Sequence, residues 1–356
     1  MRRLLKWLGI ILALALVALI GPVIGTELLC HGTVTPRNYQ PILTDAAEQR
    51  PAANSYMTYP EWHIVYAYEG LAETLKNGDE YQFAYFPSVI GFWKAECQLL
   101  QAADAHGGAD FDTRSTSYVI GPSFGLELAF KALYEDTLGA VFALLRGAQK
   151  TPQDEVARDM AAGYAAFLQQ TPWYEYDFAA PIAALWAAPV TDPVRGWERR
   201  LALTGEWKAK IAYAQGIKSL VAATTGDANL EIFSVVSGLS RDELAAIKDV
   251  QVMREVPQGL VIKTPRYAAY TAILVEIARR GGEVIEIAGN DSILITTLHE
   301  PGVVADFGPN AQRIITLDRE GFYEERDLMD VKVARLAGIL RQLQSGPVRL
   351  EHVYDY

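Results

Sequence analysis

LEIFSVV at 230–236, SRDELAAIK at 240–248, QVMREV at 251–256, LVIKT at 260–264, RYAAYTAILVEIARR at 266–280 and EVIEI at 283–287 follow one another with only turn residues between them. The first, third, fourth and last pieces are short and rich in β-branched residues, and Pro257-Gln258-Gly259 turns the third into the fourth. The second begins at Ser240, a natural N-cap, and the fifth repeats apolar residues at helical spacing until Gly281-Gly282 stops it. The order is βαββαβ, which predicts a ferredoxin-like antiparallel sheet with two helices on one face. Asn290-Asp291 reads as a turn into a further strand at 293–298 that extends this sheet by a hairpin. An apolar run at 313–317, a helix at 333–344 and a last strand at 348–354 complete a C-terminal extension. The ending Tyr354-Asp355-Tyr356 has no polar tail, so the C-terminus is expected to be tied into the sheet.

Upstream the grammar is helical. Thr58-Tyr59-Pro60-Glu61 has the form of a capping box and predicts a helix over 59–76, stopped by Asn77-Gly78. Further helices are expected at 88–105, 124–146, from 152 to just before Pro172, at 181–188 and at 192–223. Trp197, Leu201, Thr204, Ile211 and Leu220 are the expected inward positions of the long one. Glu127, Lys131 and Glu135 recur at i, i+4 and i+8 and are read as a solvated outer stripe, as are Glu198, Arg199, Arg200, Glu206, Lys208 and Lys210. Six of the seven tryptophans lie in this half and none follows Trp207, which places a boundary near Gly226-Asp227.

At the N-terminus Arg2, Arg3 and Lys6 precede an apolar run over 7–25, just long enough to cross about 30 Å of hydrocarbon at 1.5 Å per residue. The expectation is a single transmembrane anchor with its N-terminus inside, in the inner membrane, and a body on the periplasmic side. A cleaved signal is the competing reading, and Val23-Ile24-Gly25 offers it only a poor site. The expected organisation is therefore α+β: an anchor at 1–25, a linker at 26–57, an all-helical domain at 58–225 and a ferredoxin-like domain at 226–356. In an oxidising compartment Cys30 and Cys97 form either a disulfide or two free thiols.

A net charge of -11 with no Lys/Arg run excludes a nucleic-acid partner. Two cysteines without a CxxC or a Cys/His cluster support no metal, and no cofactor motif occurs: no Walker A, GxSxG, HExxH, EF-hand loop or Gly-rich dinucleotide turn. The candidate proton-transfer group is Glu61, His63 and Tyr66, although Glu61 and His63 leave a helix on different faces. The aromatic-acidic stretch Trp173, Tyr174, Glu175, Tyr176, Asp177 and Phe178 is the candidate ligand site, with Glu175 and Asp177 on one side if the chain is extended. Packing over a core is the competing role for those aromatics. Two functions follow: a non-catalytic accessory or interaction protein of the envelope, held by its N-terminal helix in the membrane and docking a protein partner through its sheet; or an envelope enzyme or small-ligand binder using 173–178.

Overall fold

The structure is a computed structural model that describes residues 2–36, 38–224, 230–304 and 306–356, with side chains outside 1–5, 8–15 and 219–224. The boundary expected at Gly226-Asp227 and the side chain of Leu220 lie outside the described residues.

Helix α1 (Arg2–Leu29) contains Pro22 and continues four residues past the expected anchor. Among the described residues no helix is long and apolar enough to cross a membrane. That finding overturns the expected transmembrane anchor, and with it the single-pass inner-membrane placement and the periplasmic body. The side chains of 1–5 and 8–15, which carry much of the apolar run, lie outside the described residues. The C-terminal part of α1 belongs to the body: Thr26 and Cys30 are buried, Glu27 meets Arg114 and Tyr118, and Cys30 is joined to Cys97 by a disulfide.

Residues 38–50, within the expected linker, form a strap lying on the first sheet. Glu286, fully buried, accepts hydrogen bonds from Tyr39 Oη (2.7 Å), Ile42 N (2.6 Å) and Leu43 N (2.8 Å). Helices α2 (Ala53–Met57) and α3 (Tyr59–Asn77) follow almost without a break. Thr58 keeps helical dihedrals and its hydroxyl donates to Asn54 O, so the expected capping box at 58–61 does not form. Then come α4 (Tyr85–Ala105), α5 (Phe111–Tyr134), a π-turn (Glu135–Gly139), α6 (Ala140–Arg146), α7 (Pro152–Leu168), α8 (Ala179–Ala187) and α9 (Pro193–Thr224).

The remaining elements are β1 (Glu231–Ser237), α10 (Arg241–Ala245), β2 (Gln251–Val256), β3 (Gly259–Pro265), α11 (Ala268–Arg279), β4 (Glu283–Ile287), β5 (Ser292–His299), β6 (Ala311–Asp318), β7 (Glu325–Lys332), α12 (Val333–Leu343) and β8 (Arg349–Val353). They build two antiparallel four-stranded sheets, ordered β2-β3-β1-β4 and β6-β7-β5-β8. The expected fold, one ferredoxin-like sheet with an extension and a membrane anchor, is corrected on this point. Strand β5 does not form a hairpin with β4. Ala288 (φ 47°) and Gly289 (φ 75°) turn the chain out of the first sheet, and only an isolated bridge, Ile287 to Asn290, links the two segments.

Both sheets follow one plan, with the first strand inside, the third beside it and the second and fourth at the edges. The second sheet has a loop where the first has α10. The two units interlock: α11 packs on β8, α12 packs on β4, and Ile232, Ile262, Ile277, Ile295, Val331 and Leu340 share one core. The sheet faces turned away from the shared core are covered in part. The strap covers the first with Leu43 against Val235 and Val261, while α2, α3 and α4 cover the second at Leu294, Leu317 and Leu328.

Candidate functional site

His63 and Tyr66 occupy the seam that α3 makes with α4, α5 and the second sheet, His63 on the helical side and Tyr66 on the sheet side. His63 is buried, and its Nε2 lies 2.9 Å from Ser88 O; a carbonyl only accepts, so Nε2 carries the proton. Nδ1 then accepts from Tyr59 Oη at 3.3 Å. Phe92 and Phe124 close edge-on around the ring, and burial pushes its pKa below the ordinary histidine value. Tyr66 Oη is 2.7 Å from Tyr354 Oη, and the Arg326 guanidinium stands 3.8 Å above the Tyr66 ring while pairing with Glu351 at 2.5 and 2.7 Å. Glu61 lies on another face of α3 and is exposed. The expected trio is thus split: His63 and Tyr66 are each satisfied within a packed seam, and Glu61 is in neither network.

The aromatic-acidic stretch is not extended. Trp173–Glu175 is a single 3-10 turn; Trp173 stacks on Tyr213 at 5.1 Å, and Phe178 is buried beside Tyr164 and Tyr176. Glu175 points outward to Lys218 at 2.9 Å. Asp177 accepts from Ala179 N at 3.0 Å, holding the first turn of α8, so the two carboxylates do separate work. Tyr174 lies half-buried at the edge of Trp173.

The principal departure from the sequence reading is the direction in which α5, α6 and α9 face. Their charges point in. Glu127 pairs with Lys210 at 2.9 Å and accepts from Tyr68, Lys131 reaches Glu206 at 2.8 Å, and Glu135 meets Arg199 at 3.1 Å. Burial works against the Glu127 carboxylate, yet Lys210 and Tyr68 hold it below the ordinary range. Lys210 itself is caged by the rings of Tyr68, Tyr164 and Phe178 at 4.9–5.5 Å. The outward side chains are Phe130 (63 % exposed), Leu133 (66 %), Leu138, Val141, Leu144 (71 %) and Leu145 on α5, the π-turn and α6. On α9 Trp197 and Leu201, expected inward, are exposed and Glu198, Arg199 and Lys210, expected outward, are buried, whereas Ile211 packs on the helical core and Lys208 is exposed as expected.

Arg195 and Arg199 stand one helical turn apart at the centre of an ionic cluster. Arg195 bonds Asp154 (2.8 Å), Glu198 (2.9 Å) and Glu80 (3.2 Å); Arg199 bonds Glu80 (3.0 Å) and Glu135, and also contacts Glu198. Arg146 clamps Asp79 through both nitrogens at 2.9 Å and touches Asp154, with Lys150 alongside. The acids Asp79, Glu80, Glu135, Asp154 and Glu198 outnumber the cations Arg146, Lys150, Arg195 and Arg199 by one. Desolvation, opposed by Arg199 and reinforced by Glu80, raises the Glu135 pKa to about 7, and a proton there evens the balance. Carboxylate oxygens of Asp79, Glu80 and Asp154 converge within 4.8 Å, a spacing a cation could use. Guanidinium and ammonium groups already fill that role, so the arrangement is an ion-pair core rather than a metal site.

Sequence reasoning passed over Arg326, Glu351, Tyr354 and the Arg195–Arg199 pair. A usable signal existed for the first: Arg326, Leu328 and Asp330 alternate along β7, so a charge shares a strand face with a core leucine and must find a buried partner. Compared with known proteins, the chain matches no family model, no curated protein and no solved structure.

Proposed function

We propose that this chain is a non-catalytic accessory protein that works by docking, and that its docking surface is the outward apolar face of α5, α6 and α9 rather than a sheet. The observation that supports this reading is the inversion itself. Charges that water would solvate without cost are held in pairs inside, while large apolar side chains are left outside, and contiguous apolar surface on a folded chain marks a place where something else binds. Covering a leucine or phenylalanine fully contributes roughly 1.5–3 kcal/mol, so a handful of these residues offsets much of the cost of association. The chemistry favours a protein surface. Arg200 lies 5.3 and 5.5 Å from the rings of Trp186 and Trp197, which meet edge to face, and Trp and Arg dominate the energetic centres of protein interfaces. The alternative of an enzyme or ligand binder built on 173–178 has less support, because those aromatics pack inward and Asp177 is engaged by the Ala179 amide.

The test is site-specific photo-crosslinking in the native source. A photoreactive residue at Leu144 should give a protein adduct of one mass, abolished by Phe130→Glu with Leu133→Glu, and the same probe at Tyr323, exposed on the β6–β7 loop, should give none. Adducts only to lipid or to a second copy of the chain, or no adduct from Leu144, would overturn the reading.

A further inference from the structure

Helices α1, α4 and α5 enclose an open groove of about 960 Å³, lined by Leu19, Leu29, Phe86, Ile90, Trp93 and Leu126. Its size is at the upper end of the range for small-molecule sites, about 300–1,000 Å³. The hollow is made by small residues. A Cβ built on Gly25 would meet nothing, and one on Gly125 would touch only Val89 Cγ1 at 3.6 Å, so side chains at these positions would project into empty space. Polar atoms are few along the walls. One of them is the amine of Lys94, which lines the groove, is exposed, and has no carboxylate partner among the described residues. Lys131, Lys210, Arg195 and Arg199, cations that α5 and α9 turn toward the helical core, are by contrast each paired with carboxylates.

We propose that this groove binds a free long-chain fatty acid, its hydrocarbon tail laid along Leu19, Ile90, Trp93 and Leu126 and its carboxylate at Lys94. An apolar trough with one unpaired cation at its wall matches an amphiphile with one anionic head: each methylene buried along it favours binding, and the ammonium selects the sign of the head group. The groove adjoins the docking face along α5, where Leu126 lies one turn before Phe130, but the proposal does not depend on docking there.

The experiment is isothermal titration of the full-length, disulfide-intact protein with dodecanoate and, separately, with dodecyltrimethylammonium, both as monomers. The wild type should give saturable one-to-one heat with dodecanoate and bind the cationic amphiphile more weakly. Lys94→Glu, an exposed position that leaves the fold intact, should weaken dodecanoate about tenfold and reverse the preference. Gly125→Phe should weaken both amphiphiles, with an unchanged melting temperature for either variant as the control for folding. No saturable binding, equal affinity for the two head groups, or affinity indifferent to both substitutions would refute the proposal. Binding to vesicles of phosphatidylglycerol but not to monomeric dodecanoate would also refute it.

Discussion

Replacing Glu96 with glutamine is expected to stabilise the protein, by an amount that depends on pH. Glu96 lies on α4 beside the bridged Cys97, is fully buried, and has no cation paired with it among the described residues. Desolvation raises its pKa from 4.5 to about 8, with only Ser117 acting the other way. The folded chain therefore holds a proton that the unfolded chain has released, and wild-type stability falls as pH rises from about 4.5 to about 8. At about 1.4 kcal/mol per pH unit, the carboxyl costs the folded state roughly 3 kcal/mol at pH 7 and somewhat more above pH 8. Glutamine has almost the same shape and does not ionise in either state. Urea unfolding of both proteins at intervals between pH 4 and 9 should show their stabilities converging near pH 4.5, separating by roughly 3 kcal/mol at pH 7 and running parallel above pH 8. A difference independent of pH, or a glutamine variant less stable than wild type at pH 7, would mean that Glu96 is ionised and paired, and the reasoning would fail.

Other outcomes follow from the same structure. Arg199→Leu should lose about 3–5 kcal/mol in denaturant melts because Glu80, Glu135 and Glu198 are left facing one another. Adding Glu135→Leu should recover much of that loss; no recovery would show that the guanidinium acts by packing alone. Glu286→Gln removes the charged acceptor that anchors the strap and should cost about 1–3 kcal/mol, with limited proteolysis moving to residues 38–50. Cys97→Ser opens a loop of 67 residues and should cost about 4 kcal/mol on the chain-entropy account, read as the difference between wild type and variant in non-reducing melts.

Much of the secondary structure was legible and its spatial arrangement was not, for identifiable reasons. The segments at 251–256 and 283–287 coincide with β2 and β4: Pro257-Gln258-Gly259 turns the chain after the first, and Gly281-Gly282 and Gly289 bracket the second, whose valine and isoleucines favour a strand. Strand β7 was missed because ERDLMDVK opens on three charged residues in a row and carries five in eight, and its charges are satisfied from distant parts of the chain, Arg326 by Glu351 and Asp330 by His106 and Tyr56. The second sheet was folded into the first because a turn at Asn290-Asp291 looks the same whether the next strand pairs with its predecessor or with β7 and β8. The site residues failed differently. His63 and Tyr66 do fall in one seam, but Ser88, Tyr59, Arg326 and Tyr354, which settle what they do, come from four separate elements or helix ends. The inversion of α5 and α9 was hidden because spacing gives the phase of a charged stripe relative to the apolar one. It does not say which stripe meets the core, and assigning the charged one to water was an assumption that Glu127, Lys131, Glu135, Arg195 and Arg199 all contradict.

Thiol labelling tests that inversion most directly, since both native cysteines are bridged and contribute no background. Cysteine placed at Leu133 or Leu144 of the purified, isolated chain should react with a water-soluble maleimide at nearly the rate of a free peptide. Cysteine at the neighbouring Ala132 or Ala143, 1 % and 3 % exposed, should react only on unfolding. Rapid labelling at 132 and 143 with protection at 133 and 144 would put the charged stripe back in water and remove the docking face.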